Sequence, residues 1–304
     1  MMSLLRRLVL SGAAALLTAA AFVASASAQN TFVRIQTTQG LLDVKLLDTE
    51  APATVANFLA YVRAGDYTDV FVHRDAWNGT TPFVIQAGGF KWTAGTSCCS
   101  AAAGSANLVP TRPPVVNEFS PTRSNVRGTV AMAKLGGDPN SATNQWFVNM
   151  SNNAANLDNQ NGGFTVFARV TAPGMVVADR IAGLPRYNYD GATFSALPLQ
   201  NWAAGQNVFR TNFVLFQAAA EIPAATTPDR VFNYLEAAYP QYVGAFATSA
   251  GEAYYFTYRY YAATNSYLGE KDGHVWFYAP NLLTYVLDLG ATSDWLGVAQ
   301  ANGY

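Results

Sequence analysis

The feature that most restricts the fold of this 304-residue sequence is a series of short apolar segments separated by turn-forming residues. Glycine and asparagine interrupt the segments, which leaves room for strands but not for long helices. Many short strands of this kind are typical of a β-barrel or a β-sandwich. The segments comprise residues 70–72, 83–86, 128–134, 146–149 and 164–170.

A hairpin and a helix precede these segments. Residues 32–35 and 41–47 alternate between apolar and polar side chains on either side of a Thr-Gln-Gly turn, which is a hairpin pattern. The apolar residues of 52–62 then recur at helical spacing, with a proline in the first turn, where it is tolerated. Further along the chain, a second short helix is predicted at 174–181 and a late strand at 209–216.

Residues 1–28 are predicted to be a secretory signal peptide. Arg6 and Arg7 precede an apolar run that ends at Val23, and Ala26-Ser27-Ala28 supplies small residues for cleavage. The run is short for a membrane span and no second long one follows, so we expect no span in the mature chain. The protein is therefore predicted to be periplasmic or secreted; a retained N-terminal anchor is the alternative.

Charge and metal-ligand content exclude several classes of function. Without its first 28 residues the chain carries 16 basic and 19 acidic side chains, so we expect no nucleic-acid partner. The two histidines, His73 and His274, and the adjacent Cys98 and Cys99 do not have the usual spacing of a zinc site. No metal or other cofactor is expected. The cysteines are expected to be loop thiols or a strained local disulfide, and a functional redox pair is the alternative.

The composition changes near residue 218. Residues 218–229 are rich in Ala, Thr and Pro and are predicted to be a linker, whereas residues 230–304 hold 12 of the 16 tyrosines. A helix pattern followed by aromatic strand patterns predicts a small C-terminal α+β module of unknown function. We expect its tyrosines to form its core; an exposed aromatic face that binds glycans or partners is the alternative.

Six short motifs follow one another through the central part of the chain. They read Val72-His73-Arg74, Gln86-Ala87-Gly88-Gly89-Phe90, Met132-Ala133-Lys134, Gln145-Trp146-Phe147, Leu157-Asp158 and Val166-Phe167-Ala168. In order and approximate spacing, the chain resembles a cyclophilin-type peptidyl-prolyl cis/trans isomerase of the bacterial periplasmic branch over residues 31–216. The resemblance implies a mainly β domain at 29–217, a closed antiparallel eight-stranded barrel with two capping helices.

The resemblance also implies an enzyme activity and its site. Arg74 matches the catalytic arginine of the family, and the implied substrates are proline-containing unfolded or extended polypeptides. The implied role is to assist the folding of exported proteins; the alternative is a proline-peptide binding module with little or no turnover, targeted by the C-terminal domain. The implied substrate-binding residues are Phe83, Val84, Gln86, Ala133, Lys134, Gln145, Phe147, Leu157 and Phe164.

The sequence departs from the family pattern at several places, including single replacements at Val84, Lys134 and Phe164. Residues 75–82 form an insertion that contains Trp77 and is expected to border the active site. Asn156 stands where many members have an aromatic residue that helps to bind cyclosporin, which predicts weak inhibition by that compound. Residues 91–114 form a long loop rich in small residues, and loops of this length are either functional or mobile.

Overall fold

The computed structural model describes residues 30–93, 108–189, 193–206 and 208–304. The predicted signal peptide and the Cys98-Cys99 pair lie outside the described residues. In the ranges that are described, no helix combines the length and the apolar character needed to cross a membrane.

The first 222 residues contain one large antiparallel sheet. Their strands are β1 (Phe32–Thr37), β2 (Gly40–Leu46), β3 (Arg74–Asn78), β4 (Thr81–Ala87), β5 (Thr129–Met132), β6 (Trp146–Asn149), β7 (Val166–Val170), β8 (Arg186–Tyr187), β9 (Leu197–Pro198) and β10 (Phe216–Ile222). Eight of them pair in the order β10-β1-β2-β7-β5-β6-β4-β3, and β8 and β9 form a separate two-stranded ribbon. The helices of this part are α1 (Pro52–Arg63), α2 (Ala154–Leu157) and α3 (Ala172–Ala182).

The sheet is an open half-barrel, so the predicted closed barrel is wrong. In the described residues the two edge strands, β10 and β3, are not joined by a ladder. The segment before β3 turns a corner at this point: Val72 N–H donates to the Val214 carbonyl at 3.0 Å, whereas His73 N–H donates to the Gln86 carbonyl at 3.1 Å. Because successive residues bond to different neighbours, only isolated bridges such as Phe71 with Leu215 span the gap.

The two longer helices pack against one face of the half-barrel. Phe58 of α1 is buried, and its ring contacts Trp146 at 6.0 Å and Phe167 at 5.1 Å between centroids. Val177 and Ile181 of α3 belong to the same apolar core. This core occupies one face of the sheet and leaves the other face available for a site.

The C-terminal part is an α+β module, as predicted. Its elements are α4 (Thr227–Ala238), α5 (Pro240–Val243), β11 (Ser249–Ala253), β12 (Phe256–Tyr261), β13 (Ser266–Lys271), β14 (His274–Tyr278), β15 (Leu287–Ala291) and α6 (Thr292–Ala301). The five strands form an antiparallel meander in chain order. Of the twelve tyrosines in this module, Tyr261 and Tyr304 alone are buried, so the expectation that tyrosines build its core is wrong for the rest.

Residues 218–222 do not belong to a linker, in contrast to the prediction. They are part of β10, where Ala218 pairs with Gln36 and Ile222 pairs with Phe32 of β1. Alanine has little intrinsic preference for strands, but a neighbouring strand edge that offers backbone hydrogen bonds overrides that preference. The connection between β10 and α4 is therefore only four residues long, 223–226.

A buried ion cluster joins the sheet to the C-terminal module. Arg34 of β1 is fully buried, and its Nε and Nη2 donate to the carboxylate of Asp43 on β2 at 2.8 and 2.7 Å. The same guanidinium bonds to the carboxylate of Glu236 on α4 and donates to the carbonyls of Asn233 at 3.0 Å and Ala245 at 2.7 Å. Three of the five hydrogen bonds of this side chain thus go to groups of the second part.

Glu236 and Asp43 extend the cluster further. Arg259 of β12 and the hydroxyl of Tyr261 donate to Glu236 Oε1 at 2.8 and 2.6 Å. The hydroxyl of Tyr304, three residues beyond α6, donates to Asp43 at 2.6 Å. The partners in this cluster come from both parts of the chain, so unfolding of one part alone would leave buried charges without partners. We therefore expect the two parts to unfold together.

Glu236→Ala is therefore expected to lower the free energy of unfolding by about 3–5 kcal/mol, because two buried arginines lose a carboxylate partner. The control is Glu221→Ala, which breaks the exposed pair between Arg63 and Glu221 and is expected to cost at most about 1 kcal/mol. Urea unfolding of both variants measures the difference. Equal losses in the two variants would contradict a joining role for the cluster.

Candidate active site

Four residues form a row across the outer face of the half-barrel. Arg74 of β3 pairs with Gln86 of β4, Gln86 pairs with Phe147 of β6, and Phe147 pairs with Ala131 of β5. Directly paired residues of neighbouring strands point to the same face and lie about 5 Å apart. Strand register alone therefore brings together residues that are up to 73 positions apart in the sequence.

A chain of hydrogen bonds holds the arginine in this row. Arg74 Nη1 donates to Gln86 Oε1 at 3.3 Å, and Gln86 Nε2 donates to Gln145 Oε1 at 2.8 Å. The Arg74 side chain is exposed, and within the described chain it makes no other hydrogen bond. Most of its five N–H donors are therefore available to a bound ligand.

Two glycines make room for this chain. Gly88 has a φ of +96°, and a Cβ there would lie 2.2 Å from the carbonyl oxygen of Asn144. A Cβ on Gly89 would lie 2.6 Å from Gln145 Nε2. The Gly-Gly pair in the second motif is thus required for the close approach of Gln145.

An apolar cluster with partly exposed rings at its surface lies beside the row and is here named the apolar pocket. Phe147 and Phe164 meet edge to face with centroids 5.8 Å apart. Most of the remaining predicted substrate-binding residues join them: Val84 and Leu157 are buried in the cluster, whereas Phe83 and Ala133 are partly exposed at its surface. The partly exposed rings of Phe83 and Phe164 form the surface of the pocket, and the buried residues pack beneath them.

An open cavity of about 380 Å³ adjoins the two glutamines on the other side. It is lined by Gln86, Ala133 and Gln145, together with Leu108 and Thr143. The structure therefore places the predicted residues at two adjoining surfaces, an apolar pocket and a more polar cavity, with the glutamines between them.

Lys134 is brought to the site, but its charge is already engaged. Its Nζ donates to the carbonyls of Asn161 at 2.8 Å and Gly163 at 2.6 Å and lies 4.8 Å from the centroid of the Phe164 ring. Burial lowers the pKa of this ammonium group. Its main effect in this structure is to hold the loop that carries Phe164, in addition to the predicted contact with substrate.

Three asparagines that the sequence analysis missed support the pocket. Asn153 Nδ2 donates to the Phe83 carbonyl and to Asn149 Oδ1, both at 2.8 Å. Asn149 Nδ2 donates to Asn125 Oδ1 at 3.1 Å, and Asn125 Nδ2 donates to the Phe164 carbonyl at 3.0 Å. The network fixes the backbone of both partly exposed rings. The high density of asparagine at 140–161 was the available signal for Asn149 and Asn153, whereas Asn125 lies outside that stretch.

His73 is not a proton donor at neutral pH. It is buried, and its ring contacts that of Phe90 at 4.8 Å. Burial, together with the neighbouring charge of Arg74, lowers the pKa of His73 to about 3. The imidazole is therefore uncharged and serves in packing.

Most of the inserted segment, residues 75–82, lies outside the pocket cluster, although the segment was expected to border the active site. Ala76 joins the pocket cluster, but Trp77 Nε1 donates to the Asp75 carboxylate at 3.0 Å, and its ring stacks 3.9 Å from the guanidinium of Arg186. Burial raises the pKa of Asp75 to about 7, although the bond from Trp77 opposes the shift. Asn156, which replaces the usual aromatic residue, lies exposed on α2.

The chain is similar to known proteins over the part that carries this site. The family model described as "Cyclophilin type peptidyl-prolyl cis-trans isomerase/CLD" matches residues 32–201. A peptidyl-prolyl cis-trans isomerase of Acinetobacter baylyi is 35% identical over 161 residues, which are 53% of this chain and 76% of that protein. Peptidyl-prolyl cis-trans isomerase B of Escherichia coli K12 is 37% identical over 156 residues, 50% of this chain and 84% of that protein.

Among solved structures, a cyclophilin type peptidyl-prolyl cis-trans isomerase of Cryptosporidium parvum superposes with a TM-score of 0.46 at 18% identity. The superposition covers 64% of this chain and 99% of that one.

The free energy of unfolding is expected to depend on pH through the carboxyl group of Asp75. Its pKa is about 7 in the folded protein and near 3.8 when unperturbed, so between these values the folded state keeps a proton that the unfolded chain has lost. Stability then falls as the pH rises through this window. Asp75→Asn removes the effect, so its stability relative to the parent is expected to increase from pH 5 to pH 8.

Thermal melting at both pH values checks this, with Asp272→Asn in an exposed turn as the control for loss of one negative charge. A difference between Asp75→Asn and the parent that is the same at pH 5 and pH 8 would contradict the assignment.

Proposed function

This chain belongs to the cyclophilin-type peptidyl-prolyl cis-trans isomerase family, and we propose that Arg74 is the residue through which it speeds rotation about X–Pro bonds. The observation that carries the proposal is the position of Arg74: its guanidinium is held by Gln86 at the edge of an apolar pocket and keeps most of its donors free. A cation with free donors beside a surface for a proline ring suits this reaction.

The chemistry requires no bond to break. Amide resonance creates a barrier of about 18–20 kcal/mol to rotation of a peptide bond. When the bond twists, the lone pair of the prolyl nitrogen is no longer delocalised and can accept a hydrogen bond. A guanidinium that donates to this nitrogen stabilises the twisted state and remains charged throughout, because an arginine side chain does not lose its proton in proteins.

The pocket contributes orientation and exclusion of water. Phe83, Phe147 and Phe164 present apolar surface to the proline ring, so the ring can stay fixed while the preceding residue turns. Burial of the ring also removes water from around Arg74, and an electrostatic contact is stronger where water is excluded. Stabilising the twisted state by about 7 kcal/mol would speed rotation by some five powers of ten.

The preceding substrate residues have a place in the adjoining cavity. The Ala133 N–H is already bonded to the Gln145 carbonyl at 2.9 Å, so Ala133 offers its carbonyl to an extended substrate chain. The cavity lined by Gln86, Gln145 and Thr143 then accepts the side chain before the proline. We infer that the substrates are proline-containing unfolded or extended polypeptides.

The cellular role follows from the N-terminal sequence. Residues 1–28 have the charge, apolar run and small residues of a secretory signal, which supports a periplasmic or secreted location. In that setting the protein assists the folding of exported proteins and belongs to the periplasmic branch of the family. X–Pro isomerisation takes tens to hundreds of seconds without catalysis, so it limits the folding of exported chains that contain non-native isomers.

Arg74→Ala is expected to lower kcat/KM for a proline-containing tetrapeptide at least tenfold, because the donor to the prolyl nitrogen is lost. Arg74→Lys should remain impaired, because an ammonium group lacks the planar fork of donors. A protease-coupled isomerisation assay on the mature protein measures both variants. Arg180→Ala, which removes an exposed arginine of α3, is the matched control.

Equal activity in Arg74→Ala and the parent would contradict the mechanism. A parent protein that binds proline peptides but shows no turnover would instead favour the alternative of a binding module.

A further inference from the structure

The outer face of the C-terminal sheet is aromatic and open. Along β12, Arg259 and Tyr261 point inward to the helices, so the alternate residues Tyr258 and Tyr260 point outward. Together with the outward residues of β13 and β14 they line a groove of about 640 Å³, here named the aromatic groove. Its rings belong to Tyr254, Phe256, Tyr258, Tyr260, Tyr267, Trp276 and Tyr278.

Three of these rings form a ladder across the strands. Tyr260 pairs with Tyr267, and Tyr267 pairs with Tyr278. The ring centroids are 4.6 and 6.3 Å apart, and neighbouring rings are tilted by only 33° and 27°. The rings therefore present an almost continuous apolar surface. Gly269 pairs with both Tyr258 and Trp276, and the ring of Phe256 fills the space that a side chain at Gly269 would occupy.

The lining of the groove selects against several ligands. Among the described residues that line it there is no Asp, Glu, Lys, Arg, Asn or Gln, although Lys271 stands at its edge with Nζ 5.1 Å from the centroid of the Phe256 ring. Nucleic acid requires basic groups along such a groove, so it is disfavoured. A sugar carries many hydroxyl groups, more than the few tyrosine hydroxyls of the groove can pair, so the cost of their desolvation is only partly offset. The groove instead suits an uncharged ligand with apolar rings and few polar groups.

The tyrosine hydroxyls supply the polar contacts that such a ligand needs. The hydroxyls of Tyr258, Tyr267 and Tyr278 have no hydrogen-bond partner within the described residues. A polyproline II chain has no internal hydrogen bonds, so its carbonyls are free to accept from such donors. Proline-rich segments dock in aromatic-lined grooves by this combination of ring packing and carbonyl recognition.

The spacing of the ladder also matches this conformation. The outer strands of the ladder, β12 and β14, are separated by two interstrand distances, about 9–10 Å. A polyproline II helix rises about 9 Å in one turn of three residues. Prolines one turn apart can therefore contact the rings of Tyr260 and Tyr278 at the same time.

The hairpin at the edge of the groove has an unusual sequence. Tyr254 and Tyr255 connect β11 to β12 with φ values of +53° and +67°, where Asn and Gly are usual. Their side chains are 91% and 92% exposed. Aromatic residues in this backbone region are strained, and Tyr254 lines the groove, so the turn extends the aromatic surface at a cost in stability.

We propose that the aromatic groove binds proline-rich segments of polypeptides in the polyproline II conformation. A chain held in the groove stays attached to the molecule that isomerises its X–Pro bonds, which raises the effective concentration of those bonds near Arg74 where the chain is long enough to reach both sites. This consequence for turnover rests on the proposed isomerase function, whereas binding in the groove does not.

The test measures fluorescence anisotropy of a labelled, uncharged twelve-residue peptide with a proline at every third position, titrated with the full mature chain. Tyr267→Ser and Trp276→Ala are expected to weaken binding at least tenfold. Tyr242→Ser is the matched control, because Tyr242 is 50% exposed on α5 and lies outside the groove. Tyr267 is 37% exposed, so its variant remains informative if Trp276→Ala does not fold.

Arg74→Ala separates this proposal from the isomerase mechanism. It should lose turnover of a tetrapeptide and keep groove binding of the longer peptide; normal turnover in that variant would count against the mechanism alone. Unchanged peptide affinity in both groove variants, or no peptide binding at all, would overturn the groove proposal. Displacement of the peptide by an uncharged hexasaccharide but not by unlabelled peptide would also overturn it, in favour of a glycan site.

Discussion

The guanidinium of Arg34 has no contact with water, so its charge and its donors must be satisfied inside the protein. Asp43 comes from the adjacent strand, but Glu236 and the Asn233 carbonyl come from α4, about 200 positions later in the chain. A buried cation of this kind is costly unless all partners are present. We therefore expect the half-barrel to depend on the C-terminal module, so that the candidate active site and the aromatic groove belong to one cooperative unit.

The site itself depends on strand register. Arg74, Gln86 and Phe147 lie in one row because β3, β4 and β6 pair without a shift at these positions. A slip of one residue would turn each of these side chains to the opposite face. The asparagine network then fixes the loops next to the row, since Asn153 and Asn125 bond to the backbone of Phe83 and Phe164. The positions of the side chains on the outer face are therefore fixed by strand pairing and by the hydrogen bonds of buried asparagine side chains.

The sequence predicted local features better than distant ones. The Arg74 and Gln86 motifs, the hairpin and both longer helices follow from short patterns. The ion pair of Arg34 with Glu236 left no local signal, because neither residue shows its burial or partner in the sequence. Residues 218–222 resemble a linker in composition, yet the edge of β1 makes them a strand. The hydrogen bonding of the large sheet is interrupted at residues 70–73, because that segment bonds to two different neighbouring segments. The periodicity of the sequence does not reveal this change of partner.

The central claim is that the row of Arg74, Gln86 and Phe147 catalyses rotation and does not merely hold proline. NMR exchange spectroscopy of a peptide with resolved cis and trans proline signals tests it most directly, with the mature protein present in catalytic amounts. We expect cis–trans exchange peaks at mixing times below one second, where the free peptide shows none because its isomerisation takes tens of seconds or more. Shifted peptide signals without exchange peaks would show binding without catalysis and would contradict the account.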